Sequence, residues 1–318
     1  MSQTFITPEG WKTGLEELAP RVFAYTQAYG ELGVSNAGLL LDREGSMAVD
    51  ALMVPSMTHR FLSAIKKVTT RPVTRLINTH HHIDHSGGNF LFRDAEIVSH
   101  SRAREGIINT GLPVEFLQIA MPRFADEYAK IKPRAPQVTF EDRLVFHQSG
   151  REVELMHLGP AHTFGDAFVY LPKEKILFAG DIAFHYVTPM AFQGHVGNWI
   201  KVADRILKMD ADVIVPGHGP VGGKRELREM RRYLAYIRRE ARKRFDARMT
   251  AKEAARDIRL GLYASWREAE RILPNIARLY QEFRRELDQP LDPQEVFAGM
   301  REMRAFFDSH HPPHICCV

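Results

Sequence analysis

The chain has 318 residues, 44% of them hydrophobic, with 43 Lys+Arg against 39 Asp+Glu for a formal charge of +4, and only two cysteines. That length supports one large domain or two modest ones with a full apolar core, which excludes a disordered chain, a collagen and a small disulfide scaffold. No apolar run approaches the roughly 20 residues that a membrane-spanning helix needs, so no membrane partner is expected.

Met1-Ser2-Gln3-Thr4 has no basic stretch leading into an apolar one, as a secretory leader would. A cytoplasmic protein is the expectation. Residues 37–41 and 46–50 read as a hairpin turning at Asp42-Arg43-Glu44-Gly45, and residues 57–67 as a helix with apolar Phe61, Leu62 and Ile65. Strands are predicted at residues 73–78, 96–99, 144–146, 153–156, 168–171, 176–179 and 213–215. A long connection over 111–132 carries Phe116, Phe124 and Tyr128. Two packed sheets covered by helices bury such a series economically.

From Lys224 onward no strand pattern recurs. Thr250-Ala251-Lys252-Glu253 and Ser265-Trp266-Arg267-Glu268 read as capping boxes, and Asp292-Pro293-Gln294-Glu295 as a helix start with proline at the first helical position. Pro274 should kink or divide a helix over 266–287. The expected division is a catalytic domain over 1–222, a helical domain over 223–309 and a disordered tail over 310–318. Cys316 and Cys317 are adjacent within that tail and cannot staple the fold.

Charge divides in the same way. Residues 225–318 hold 20 Lys+Arg against 15 Asp+Glu, leaving 23 against 24 before them. Residues 224–248 alone carry eleven basic side chains and four acidic ones, around Leu227, Met230, Leu234 and Ile237, whose 3, 4, 3 spacing suits a core-facing stripe. This reads as a solvated basic helix with one core-facing stripe rather than as a nucleic-acid surface. Contact with an anionic acyl carrier is the other reading.

The chemistry concentrates in Thr79-His80-His81-His82-Ile83-Asp84-His85-Ser86-Gly87-Gly88, directly after a predicted strand. In extended backbone, residues two apart face one way, so His80 and His82 can clamp one ion while His81 points elsewhere. Asp84 and His85 follow where the chain leaves the strand, placed for a second ion. The glycine turn allows close backbone approach and opens a helix. A catalytic zinc takes about three protein ligands, so one segment cannot complete two sites. His162 in Gly159-Pro160-Ala161-His162-Thr163-Phe164-Gly165-Asp166, Asp181 in Phe178-Ala179-Gly180-Asp181 and His218 in Val215-Pro216-Gly217-His218-Gly219-Pro220 are the further candidates.

This ordered set, H-x-H-x-D-H, G-x-x-H-T-x-G-D, G-D after a strand and P-G-H-G, resembles the metallo-β-lactamase superfamily over roughly residues 35–222. The resemblance implies an α/β fold, a four-layer αββα sandwich, here with a C-terminal all-helical extension. It implies that His80, His82 and His162 bind one metal, Asp84, His85 and His218 the other, with Asp181 bridging. Asn36 and Asp50 resemble structural residues of the opening hairpin, and Ala161 stands where many members have glycine. Histidine at 82 and aspartate at 181 separate the chain from diiron oxygen-reducing members and from many true β-lactamases, and resemble the glyoxalase II-like hydrolases.

The implied activity is dinuclear zinc-dependent hydrolysis of a thioester, lactone or related ester by a metal-bridging hydroxide, with manganese or iron as alternative metals. Asp84 would be the catalytic carboxylate that orients the nucleophile and relays its proton. β-Lactam hydrolysis, a nuclease or phosphodiesterase, and a mononuclear-iron persulfide dioxygenase are the alternatives. The expected partner is a small, anionic substrate drawn by incompletely neutralised dications, rather than nucleic acid, and a homo-oligomer is compatible with this. Phe184, His185, Tyr186 and His195, in the aromatic and histidine-rich stretch after Asp181, are the candidate substrate contacts.

Overall fold

Strands that are buried on both faces carry continuous apolar runs, while their alternate residues serve different layers. Leu39 and Leu40 illustrate this: neighbours on one strand, they belong to two separate apolar clusters on opposite faces of a sheet. The computed structural model describes residues 11–310 except 29, 30, 44 and 149. Positions 1–4, Glu44 of the predicted hairpin turn, and residues 311–318 of the predicted tail therefore lie outside the described residues.

The first sheet has seven strands in chain order: β1 (Gly14–Ala19), β2 (Val22–Thr26), β3 (Ala37–Leu40), β4 (Ser46–Val49), β5 (Val73–Ile77), β6 (Glu96–His100) and β7 (Val138–Phe140). The first four pair antiparallel and the last four parallel. Parallel neighbours need crossovers. These are α1 (Pro55–Val68), the short α2 (Ile83–Ser86), and α3 (Ser101–Thr110), α4 (Val114–Ala120) and α5 (Ala125–Tyr128) together. The second sheet runs β8 (Arg143–Gln148), β9 (Arg151–Met156), β10 (Phe168–Leu171), β11 (Ile176–Phe184), β12 (Val213–His218), with α6 (Val196–Ile206) joining its one parallel pair.

Four layers result, as the sequence led us to expect. Between the sheets, Leu40, Met47, Ile77 and Val98 of the first share one apolar cluster with Leu155, Val169, Phe178 and Val215 of the second. Outside the first sheet, Phe23, Tyr25 and Leu76 pack with Phe61 and Ile65 of α1 and Leu117 of α4. Outside the second, Phe168, Leu177 and Ile214 share one cluster with Trp199 and Ile206 of α6 and with the helical C-terminal part.

That part comprises α7 (Lys224–Asp246), α8 (Ala251–Asp257), α9 (Ile272–Arg284) and α10 (Pro293–His310). Leu227, Met230, Leu234 and Ile237 form the buried stripe of α7, joined by Tyr233 and Ala241. Its basic side chains are largely paired: Arg231 with Asp204, Arg238 with Glu282, Arg242 with Asp246, and Lys243 and Arg244 with Glu240. Thr250 caps α8 through its reciprocal box with Glu253, as predicted.

Two helical expectations are corrected. Ser265-Trp266-Arg267-Glu268 does not start a helix, because Glu268 adopts a left-handed φ of 58° and its carboxylate is drawn to Arg271 and to the Leu32 amide instead. Helix α9 begins only at Ile272, so Pro274 sits in the first turn, where no intrahelical N–H is required and no kink arises. The N-terminal β1–β2 pair and β7 were not predicted.

Candidate metal centre

Strand ends from both sheets converge at one edge of the sandwich. His80 and His82 follow β5, Asp84 and His85 lie in α2, His162 lies in the β9–β10 loop, Asp181 lies within β11, and His218 closes β12. The turn after α2 is tight enough that a side chain at Gly87 would run into the Met53 carbonyl, which is the close approach expected of that glycine.

The donor atoms form two groups. In the first, His82 Nδ1 lies 3.1 Å from His80 Nε2 and 2.8 Å from His162 Nε2, and Asp181 Oδ2 lies 3.1 Å from His162 Nε2. In the second, His218 Nε2 lies 3.1 Å from Asp84 Oδ2, and His85 Nε2 lies 3.7 Å from the same oxygen. Asp181 reaches both, with Oδ1 3.0 Å from His85 Nε2 and Oδ2 3.5 Å from His218 Nε2. A tetrahedron with metal–nitrogen bonds of about 2.0–2.1 Å has edges of roughly 3.3 Å, so these spacings suit a cation at each group.

Neighbouring groups set which nitrogens are free to ligate. The Asp50 carboxylate lies 2.8 Å from His85 Nδ1, and the Val34 carbonyl 3.1 Å from His218 Nδ1, so both rings carry that proton and turn Nε2 inward. Gln193 Oε1 accepts from His82 Nε2 at 2.7 Å, leaving Nδ1 as the lone pair. His85 Nε2 and Asp181 Oδ1 are buried and make no well-aligned hydrogen bond, although they are close. Buried polar atoms left in that condition are costly unless something between them satisfies both. The residues present therefore fit two bound cations.

The electrostatics divide the site. Burial holds His80 and His82 well below the ordinary histidine range, and brings His162 down to about 4. Burial also opposes charge on His85, but Asp181, Asp84 and Asp50 raise it well above the usual value. Burial would likewise raise Asp181, yet His218, His85 and His162 hold it well below the carboxylate range. One half is thus a neutral nitrogen set, and the other a set of acids balanced by histidines.

The supporting shell is equally specific. Asp50, at φ 59°, accepts from the Thr79 amide and hydroxyl at 2.8 Å each while holding His85. Asn36 donates to the carbonyls of Pro216 and Gly219, fixing the turn that carries His218. A side chain at Gly217 would collide with Asp181 Oδ1. Asp166 accepts from Thr163 N, Thr163 Oγ1 and Ala161 N, shaping the loop of His162; burial nevertheless pushes it up to about 7.

The ligand groups open into a cavity of about 420 Å³. Asp84 lines it with 14% of its side chain exposed, against 4% for Asp181. Phe184 also lines it and stacks on His218, ring centroids 5.1 Å apart at 7°. His185, Tyr186 and His195, the other expected substrate contacts, are not among the residues that line it. His185 is fully buried with Nδ1 3.0 Å from the Pro220 carbonyl, Tyr186 turns its hydroxyl to Glu226, and His195 caps α6 by accepting from the Asn198 amide. Phe116 lines the cavity; Phe124 and Tyr128 do not. His81 belongs to neither donor group; its Nε2 bonds Gln193 Oε1 at 2.9 Å, the same oxygen that holds His82.

Gln193 and Phe192 were not among the expected site residues, although they lie in the aromatic and histidine-rich stretch after Asp181. Phe192 stacks on His82, centroids 5.3 Å apart at 16°.

Comparison with known proteins places these observations. A family model described as the metallo-beta-lactamase superfamily matches residues 30–218, more than half of the chain. The chain is 30% identical over 178 residues to the 2,4-dinitroanisole O-demethylase subunit alpha of Nocardioides sp., covering 55% of this chain and 49% of that protein. It is 23% identical over 257 residues to a linear primary-alkylsulfatase of Pseudomonas sp., covering 68% and 48% respectively. The chain thus spans about half the length of these two curated relatives. Among solved structures, the inverting sec-alkylsulfatase Pisa1 from Pseudomonas sp. superposes with a TM-score of 0.67 at 19% identity, over 93% of this chain and 57% of that one. That likeness of fold includes the helical C-terminal part.

Proposed function

The chain belongs to the metallo-beta-lactamase superfamily, many of whose members are metal-dependent hydrolases, and on that premise we propose that it hydrolyses a small ester-type substrate, a thioester, lactone or related ester, at a dinuclear metal centre. The observation that carries this reading is the pair of donor groups sharing Asp181 at the end of a cavity. His80, His82 and His162 would hold one cation, and Asp84, His85 and His218 the other, with Asp181 between them; zinc suits these nitrogen and carboxylate donors, and manganese or iron are the alternatives. When bound, the pair supplies an activated water and a Lewis acid for the substrate oxygen.

The protein's own groups do the rest. Asp84 is the ligand carboxylate with the greater access to the cavity, so it is placed to orient a nucleophile and to hold its proton on the carboxylate. No serine or cysteine nucleophile is needed. A sulfate ester is the second substrate reading, favoured by the likeness to the Pseudomonas alkylsulfatase over 68% of the chain.

The test is a panel of acyl thioesters, lactones, carboxylic esters, alkyl sulfates and nitrocefin with the full chain loaded with zinc or manganese. Hydrolysis of an ester-type member, abolished by chelation and restored by metal at two ions per chain, is the expected result. Protein ending before His310 controls for metal held by the histidine and cysteine tail. Iron at one per chain with oxygen consumption would instead establish the dioxygenase, cleavage confined to nucleic acid the nuclease, and nitrocefin turnover alone the β-lactamase reading.

A further inference from the structure

The cavity beyond the ligand cluster is built to exclude charge. Met53, Ile107, Leu112, Leu117, Met121 and Ile131 supply much of its wall. Helix α10 supplies another part, where Phe297 meets Phe116 of α4 edge to face, centroids 5.3 Å apart at 69°. The helical extension is therefore part of the catalytic cavity.

Two basic side chains occur among the described lining residues, Arg134 and Arg271, and both are committed to the protein. Arg134 donates to the carbonyls of Phe92 and Ala95, and Arg271 donates to the Thr188 carbonyl and pairs with Glu268. Arg271 is neutralised by Glu268, the Arg134 guanidinium is turned to backbone carbonyls, and Asp292 adds a carboxylate to the same wall, so the wall presents no cluster of cations for a polyphosphate or a nucleic-acid backbone. At the ligand end, His81 and His82 both bond the Gln193 side-chain oxygen. A volume of about 420 Å³ lies in the range of pockets that enclose small molecules.

We propose that this chamber binds an uncharged apolar chain, aliphatic or aromatic, of a substrate whose scissile group lies at the ligand cluster, and that the Phe116 and Phe297 pair sets the length of chain accepted. This rests on the hydrolase reading for the reacting end but not for the chain. The dispersion and desolvation gains of the chamber fall on methylene groups, so affinity rises by about fourfold per added methylene until the chamber is full. Beyond that length it levels off or falls, because further carbons must displace the aromatic pair or remain in water.

Calorimetric binding of straight-chain 1-alkanols, butanol to dodecanol, to the full chain tests the chamber without any chemistry. The same alkanols are then used as inhibitors of whichever panel substrate is hydrolysed. The expected result is a rise in affinity with chain length to a defined limit, with Phe297→Ala and Phe116→Ala moving that limit to longer chains and Phe297→Trp to shorter ones. Phe297→Leu and Phe116→Leu, which keep an apolar contact, serve if the alanine variants do not fold. Affinity independent of chain length, or a limit that no variant at either position moves, overturns the proposal. Alkanol binding with the expected limit in a protein that hydrolyses nothing would overturn the hydrolase reading and leave the chamber standing.

Discussion

The Asp50 carboxylate and the His85 imidazole are 35 residues apart in sequence and 2.8 Å apart in the fold, and the same carboxylate holds the Thr79 amide next to His80. One buried side chain therefore positions a candidate ligand of each cation. Such partners also raise the basicity of a ligating histidine and fix its tautomer.

Asp50→Asn tests this linkage. The amide can still accept from Thr79, but its NH₂ group would face the His85 Nδ1 proton, donor against donor. The expected outcome is a folded protein whose affinity for the second metal falls by roughly 10–100-fold, read by metal titration and by the metal content after dialysis. Retention of both metals at wild-type affinity would remove Asp50 from the positioning role.

Gln193 makes a second, independent prediction, because it acts on the other donor group. Gln193→Leu removes the acceptor that keeps the His82 proton on Nε2, while Gln193→Glu keeps an acceptor there. The leucine variant should lose about tenfold or more in affinity for the first metal, and the glutamate variant should retain it. Equal losses in both would show that the side chain merely fills space.

The candidate ligands were legible in the sequence because their chemistry sits in local spacings. H-x-H-x-D-H needs only the geometry of one strand end, and His162, Asp181 and His218 each carry their own glycine signal in or near a strand. Their supports were not legible in the same way: Gln193 reaches His82 across 111 residues, a relation that only the packed sheets create. The directions of the side chains after Asp181 were hidden for a related reason. Strand β11 continues to Phe184, so Phe184 and His185 leave its end in opposite directions, one into the cavity and one into the protein. The Ser265 box satisfied its pattern, but Glu268 found stronger partners in Arg271 and the Leu32 amide. Strand β1, with its charged Glu16 and Glu17, carries too little apolar signal to be seen without β2 beside it.

His100 gives the fold a titratable helix cap. Its Nδ1 accepts from the Arg102 amide at the start of α3, and the ring packs on His157, with Glu141 the facing carboxylate. Burial, aided by His157 and Arg102 and opposed by Glu141, lowers it to about 4. A depressed value means that the unfolded chain takes the proton first. The stability this group contributes is therefore complete above about pH 6.5 and is lost as pH falls through 4. The loss is of the order of 3 kcal/mol. His100→Asn keeps a capping acceptor that does not titrate in this window, so its denaturant midpoint should fall less steeply between pH 6.5 and 4. Parallel acid profiles for the two proteins would place the titration elsewhere.

Asp84 carries the sharpest prediction about chemistry. Its Oδ2 lies 3.1 Å from His218 Nε2, and its side chain is the more accessible of the two ligand carboxylates, so it can meet both a cation and a substrate. Asp84→Asn keeps the shape and one oxygen but cannot take up a proton at neutral pH. Loss of a general base typically costs 10²–10⁴-fold, and the expected fall in kcat at saturating metal is of that size, with the thermal transition little changed. Metal content must be measured alongside, since losing a charged ligand also weakens the second site. A metal-replete Asp84→Asn protein with wild-type kcat would confine Asp84 to ligation, whereas a fall in kcat that added metal fully restores would trace the defect to occupancy alone.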